Sequence, residues 1–225
     1  ISFQVTIPNE WEVLAPINIG CTAGIESNKI APAWVEKSYM MDKIIVVSEF
    51  AKRGFDTTSY EFVNQEVNER RQVSAKGPIH VVNYPHRPVE PAEAEFDLKH
   101  DFNFLCISQW SPRKNFENTI RWFVEEFYDQ EVGLVLKSSL ANNGYIDYNH
   151  TAFKIKRLLA EDKYEGRKCS VHLLHGYLKD DEMAALYRNP KVKALINIAH
   201  GEGYGLPMFE AAGHGLPIVT VGWSG

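Results

Sequence analysis

Val192-Lys193-Ala194-Leu195-Ile196-Asn197-Ile198-Ala199-His200-Gly201-Glu202-Gly203-Tyr204-Gly205-Leu206-Pro207-Met208-Phe209-Glu210-Ala211-Ala212-Gly213 decides the fold class. Residues 192–198 are an apolar run of strand length. Residues 206–213 read as a helix that Pro207 opens in its first turn. Three alternating glycines separate the two. Glycines let backbone N–H groups come close to a ligand, and a helix N-terminus adds unsatisfied donors and partial positive charge. This combination suits a diphosphate. Glu202 falls in the loop and Glu210 is expected in the first helical turn. Each carboxylate can accept hydrogen bonds from two neighbouring hydroxyls, as on a ribose or a hexose.

Working outward, the same rhythm continues on both sides. Residues 102–108, 132–137, 169–174 and 217–221 read as strands. Residues 111–128, 151–160 and 180–188 read as helices, the first with Phe116, Ile120, Phe123 and Phe127 on one face. Strands separated by helices imply right-handed crossovers and mostly parallel sheets with helices on both faces. Further upstream, residues 43–47 and 79–82 read as strands, and Ser48 is placed to cap a helix running through Phe55. The polar stretch 59–77, with Glu66, Glu69, Arg70 and Arg71, reads as a solvated surface helix or an inserted excursion. Pro88, Pro91 and several acids without periodicity, just after Pro85, mark residues 86–100 as a linker. The expected organisation is residues 1–85, the linker 86–100, and residues 101–225.

The composition excludes several classes. The 225 residues are 44% apolar and 24% charged, ordinary for a globular chain able to bury a core. A net charge of −5 is a poor match to nucleic acid, which needs a basic face. The three cysteines, Cys21, Cys106 and Cys169, are far apart, odd in number and set in apolar runs, so neither a disulfide framework nor a zinc site is expected. A reducing, cytoplasmic setting fits this usage. No apolar stretch reaches the ~18 residues of a membrane span. The ends fall at strand-like runs, which reads as a piece of a longer protein. No phosphate loop, zinc-protease motif or nucleophile elbow occurs, and the spacing of His172 and His175 suits no common metal site.

A second element, Ser111-Pro112-Arg113-Lys114-Asn115, follows the strand 102–108. With Ser111 as N-cap and Pro112 as the first helical residue, Arg113 and Lys114 fall in a first helical turn. Cations are disfavoured there, and a bound phosphate would offset the conflict. In open α/β sheets ligands bind beyond the carboxyl ends of the strands, so this element and the glycine loop can serve one crevice.

Taken together, these residues resemble a known family. The string from Gly201 to Pro207 with Glu210 and Gly215-Leu216-Pro217 resembles the E-x7-E signature of retaining glycosyltransferases of the GT-B type, family four. Arg113-Lys114-Asn115 resembles the family's phosphate-binding element. Pro32-Ala33-Trp34 and the run from Asp42 to Phe50 are similar to the end of its N-terminal domain, and residues 79–85 to the strand entering its interdomain linker. The resemblance implies an α/β fold of two Rossmann-like domains with parallel sheets, the N-terminal one incomplete here. It implies transfer of a hexose from a nucleoside-diphosphate sugar to an acceptor hydroxyl, with retention and without a metal or other cofactor.

Carried over by residue, Glu210 would bind the nucleotide ribose and Glu202 the donor-sugar hydroxyls. The backbone of Gly203, Tyr204, Gly205 and Leu206 would contact sugar and diphosphate. Lys114, with Arg113, would neutralise the diphosphate, and Gly176, Tyr177 and Leu178 would lie near the base. Gln109 stands where the family often carries a further arginine, and the 83–87 loop lacks the family's glycine. The implied partners are a nucleotide sugar and a glycan, lipid or small-molecule acceptor, with peripheral membrane association left open. Three alternatives remain: a nucleotide-sugar epimerase, a sugar phosphorylase on the same fold, or a non-catalytic glycan- or partner-binding protein.

Overall fold

Apolar runs of strand length in the second half of the chain form a five-stranded parallel sheet. In a computed structural model that describes residues 1–24, 26–64 and 69–225, the chain divides into two units. The first holds Ile1–Pro85, Gly201–Gly205 and Gly222–Gly225; the second holds His86–His200 and Leu206–Val221.

The first unit is built on β1 (Ser2–Val5), β2 (Asn18–Thr22), β3 (Lys43–Val46) and, later in the chain, β6 (Ile79–Val81). These pair in parallel in that spatial order. Between them lie α1 (Pro32–Ser38), with Trp34, Val35 and Ser38 buried, and α2 (Glu49–Thr57). Ser48 caps α2 as its sequence position implies: its Oγ accepts from the Ala51 N–H at 3.1 Å. Trp11, Ile30, Trp34, Ile44, Val46 and Phe55 form the unit's core.

The described parts of the stretch 59–77, residues 59–64 and 69–77, contain no helix. They hold an antiparallel ribbon of β4 (Ser59–Asn64) and β5 (Glu69–Ser74). Alternation explains the difference: Tyr60 and its cross-strand partner Val73 pack on the core, while Glu61 and Arg70 stay at the surface. Glu66 lies outside the described residues.

The second unit contains β7 (Asn103–Ile107), α3 (Phe116–Glu126), β8 (Gly133–Lys137), α4 (Tyr145–Leu159), β9 (Ser170–Leu174), α5 (Asp180–Tyr187), β10 (Val192–Asn197), α6 (Leu206–Gly213) and β11 (Ile218–Thr220). The spatial order β11-β10-β7-β8-β9, all parallel, is the doubly wound order. One face is covered by α3 and α4 through Phe116, Ile120, Phe123 and Ile155. The other is covered by α5 and α6 through Leu186, Tyr187 and Ala211. Residues 86–100 carry neither helix nor strand, yet Leu98 joins the second unit's core and the Ala92 N–H donates to the Asp181 carbonyl at 3.0 Å. Among the described residues no helix is long and apolar enough to cross a membrane.

Candidate functional site

The carboxyl ends of β7, β8 and β9 open into a pocket of about 460 Å³ in the second unit. Gln109 and Lys114 come from the segment after β7, Lys137 to Ser139 and Asn143 from the end of β8 and its loop, and Gly176 to Leu178 from the turn after β9. Pro207 closes it from the first turn of α6. A doubly wound sheet uses this edge for ligands because helix N-termini and unpaired loop N–H groups gather there.

Backbone bonds tie the pocket's walls together. The Ser108 N–H donates to the Lys137 carbonyl at 3.2 Å and the Trp110 N–H to the Ser139 carbonyl at 2.9 Å. Gln109 Nε2 donates to the Leu140 carbonyl at 3.0 Å. Asp147, in the first turn of α4 and buried, accepts the N–H groups of Leu140 at 2.9 Å, Ala141 at 2.7 Å and Asn142 at 3.2 Å. It also faces His175 Nε2 at 2.8 Å. A carboxylate can only accept, so Nε2 carries the proton. Burial alone would raise the Asp147 carboxyl, but the His175 bond and the three N–H donors hold it well below the usual range.

Arg113 and Lys114 do not sit in the first turn of α3. They occupy a short 3-10 turn, Pro112–Lys114, and Asn115 in left-handed conformation (φ 53°) separates this turn from the α-helix. Ser111 makes no side-chain cap bond. The two cations thus lie just before the N-terminus of α3 rather than inside its first turn. Lys114 lines the pocket, whereas Arg113 does not; its carbonyl accepts the His200 N–H at 2.8 Å.

α6 begins at Leu206 as read from the sequence, so Glu210 is its fifth residue and falls just past the first turn expected for it. It is exposed, and Tyr187 OH donates to Glu210 Oε2 at 3.1 Å. Burial first, and then the Glu210 charge, push the Tyr187 phenol well above its usual range, so Tyr187 stays a donor. The His214 ring stacks on Tyr187 with centroids 5.6 Å apart. Neither Glu210 nor Leu206 lines the pocket.

Glu202, Gly203, Tyr204 and Gly205 group with the first unit. Glu202 is buried; its N–H donates to Ser224 Oγ at 2.5 Å, and its carbonyl accepts the Gly225 N–H at 3.0 Å. A Cβ on Gly201 would lie 2.6 Å from the Glu26 carbonyl oxygen, so only glycine allows that approach. The Tyr204 ring meets Tyr84 edge-on at 4.9 Å.

The sequence-predicted residues Gln109, Lys114, Gly176, Tyr177 and Leu178 therefore share one pocket. Sequence reasoning missed Lys137, Ser138, Ser139 and Asn143. The available signal was a lysine ending an apolar strand, 132–137, at the end of the sheet where ligands bind.

No protein-family profile matches the chain, and no curated protein matches it in sequence. Solved structures do share its fold. A complex of a TarM variant from S. aureus with fondaparinux, alpha-GlcNAc-glycerol and UDP is 15% identical with a TM-score of 0.56, over 92% of this chain and 38% of that one. The lipopolysaccharide outer core galactosyltransferase WaaB in its apo form is 15% identical with a TM-score of 0.55, over 91% and 49%. Apo OtsA is 10% identical with a TM-score of 0.57, over 90% and 52%. The fold is thus the GT-B type, α/β with parallel sheets, and the chain spans about half or less of the length of these neighbours.

Proposed function

We propose that the chain is the donor-binding part of a retaining glycosyltransferase of family four. It would move a hexose from a nucleoside-diphosphate sugar to an acceptor hydroxyl without a metal. The observation that carries this is the convergence of Lys114, Gln109, the Gly176–Leu178 turn and the start of α6 on one pocket at the strand ends. Support also comes from the shared fold with a galactosyltransferase and with a TarM structure that contains UDP.

In this reading the leaving diphosphate gains charge as the glycosidic bond breaks. Lys114 and backbone N–H groups stabilise it more in the transition state than in the ground state. Tyr187 holds Glu210 ready for ribose hydroxyls. Glu210 binds hydroxyls rather than serving as a glycosidase acid or base. The acceptor is a glycan, lipid or small molecule, and the proposed setting is cytoplasmic, with peripheral membrane contact included.

Calorimetric titration with UDP, GDP and ADP in the presence of chelator tests it. One nucleotide is expected to saturate. Lys114→Ala and Glu210→Ala are each expected to weaken it by about 1.5–3 kcal/mol, the cost of a lost charge-assisted bond. Unchanged affinity in both variants would refute the site, and binding abolished by chelator would refute metal independence.

A further inference from the structure

Lys137 is the last residue of β8, and its Cα pairs with Ile107 at the end of β7. That register brings it to the rim of the pocket that Gln109 and Lys114 also line. Its ammonium bonds the Gly176 carbonyl, the turn residue held at φ 97°. Among the described residues no carboxylate lies within ion-pair distance of it. Next to it, Ser138 is buried and its hydroxyl has no hydrogen-bond partner among the described residues. A half-buried cation facing one neutral acceptor is an incompletely compensated charge, and a polyanion entering the pocket would complete it.

Resting on the donor-site reading above, we propose that Lys137 is a second phosphate-binding cation, acting with Lys114 on the diphosphate and supplying the positive charge that Gln109 does not. Lowering of the Lys137 amine by burial agrees with a site that lacks its counter-charge. A lysine acts here as a point charge reaching from the strand end. The proposal also gives the Gly176 bond a role. It orients the ammonium from the side of the turn while leaving two of its three N–H donors for ligand oxygens.

The test compares UDP, GDP and ADP with the matching nucleosides on the wild-type chain, Lys137→Met, Lys137→Arg and Lys114→Ala. Lys137→Met keeps the stem and removes the charge. It is expected to weaken the bound diphosphate about ten- to a hundredfold, to reduce the salt dependence of binding, and to leave nucleoside affinity unchanged. Lys137→Arg should recover most of the loss. Equal weakening of nucleoside and diphosphate would overturn the proposal and assign Lys137 to holding the 176–178 turn. Diphosphate binding that depends on Lys114 but is unchanged in Lys137→Met would overturn it while leaving the donor site standing. A wild-type chain that binds no diphosphate would refute both.

Discussion

Trp11→Ala is expected to destabilise the first unit by about 3–5 kcal/mol, the range for truncating a buried large aromatic side chain. Trp11 is fully buried, and its indole lies directly against β2. A Cβ added at Gly20 would lie 2.5 Å from its Cε2 and 2.6 Å from its Cζ2, which is why the strand carries glycine there. The indole Nε1 has no hydrogen-bond partner among the described residues, so the loss comes from packing and the cavity rather than a broken bond. The rigid ring cannot step aside, so Gly20→Ala alone should cost about 1–3 kcal/mol by overpacking. In the Trp11→Ala background the same methyl enters the vacated space and should cost little or even stabilise. That sign of coupling is the test. Urea unfolding followed by far-UV circular dichroism, with amide exchange at Ile44 and Val46 on β3, reads it out. Additive losses in the double variant, or a Trp11→Ala loss below about 1 kcal/mol, would show that the indole does not support the sheet.

The fold was legible wherever burial forces a pattern on the sequence. Strands buried on both faces read as continuous apolar runs, as β7 and β8 do, and even the half-buried β9 and the edge strand β11, with Val219 exposed, fall within a residue or two of the apolar runs. The helix face of Phe116, Ile120 and Phe123 is likewise a consequence of period. Legibility failed where structure depends on partners distant in sequence. α4 starts at Tyr145, six residues before the expected start, because its first turn exposes Tyr145 and Ile146 and is held by Asp147. The ribbon of β4 and β5 needs its cross-strand partner to give Tyr60 and Val73 a meaning. At the site, Lys114, Gln109 and the 176–178 turn could be read from their positions after strands. Lys137 carried a signal as the lysine that ends the run 132–137, but the β7–β8 register was needed to set it beside Ile107. The break at Asn115 is local, but Asn115 Nδ2 donates to the Ile198 carbonyl at 3.2 Å, an 83-residue contact that no local pattern encodes.

Asp147→Asn is expected to cause the largest fall in melting temperature of any single polar substitution in the second unit, and to weaken the nucleoside-diphosphate binding proposed above at the same time. Its carboxylate gathers three loop N–H groups, the Thr151 hydroxyl at 3.2 Å and His175 Nε2, joining the loop after β8 to the start of the turn after β9. Both segments line the pocket, so releasing them loosens Asn143 and Gly176 together. An asparagine presents an NH₂ where one oxygen accepted, which leaves N–H groups facing N–H groups. The pH dependence separates this from a general packing defect. The folded carboxyl is held below its ordinary value of 3.8, so the unfolded chain binds the proton more readily. The contribution is therefore full above about pH 3.8 and is lost as the pH falls through the folded value. The stability gap between wild type and Asp147→Asn should narrow as the pH drops below that point, because the wild-type carboxyl then becomes neutral too. Thermal melts from pH 7 downward, with 15N shifts of the Leu140, Ala141 and Asn142 amides, follow it directly. A gap that stays constant through the acid range would mean that shape, not the carboxylate charge, holds the two loops. The pocket would then tolerate any residue of that volume at the head of α4.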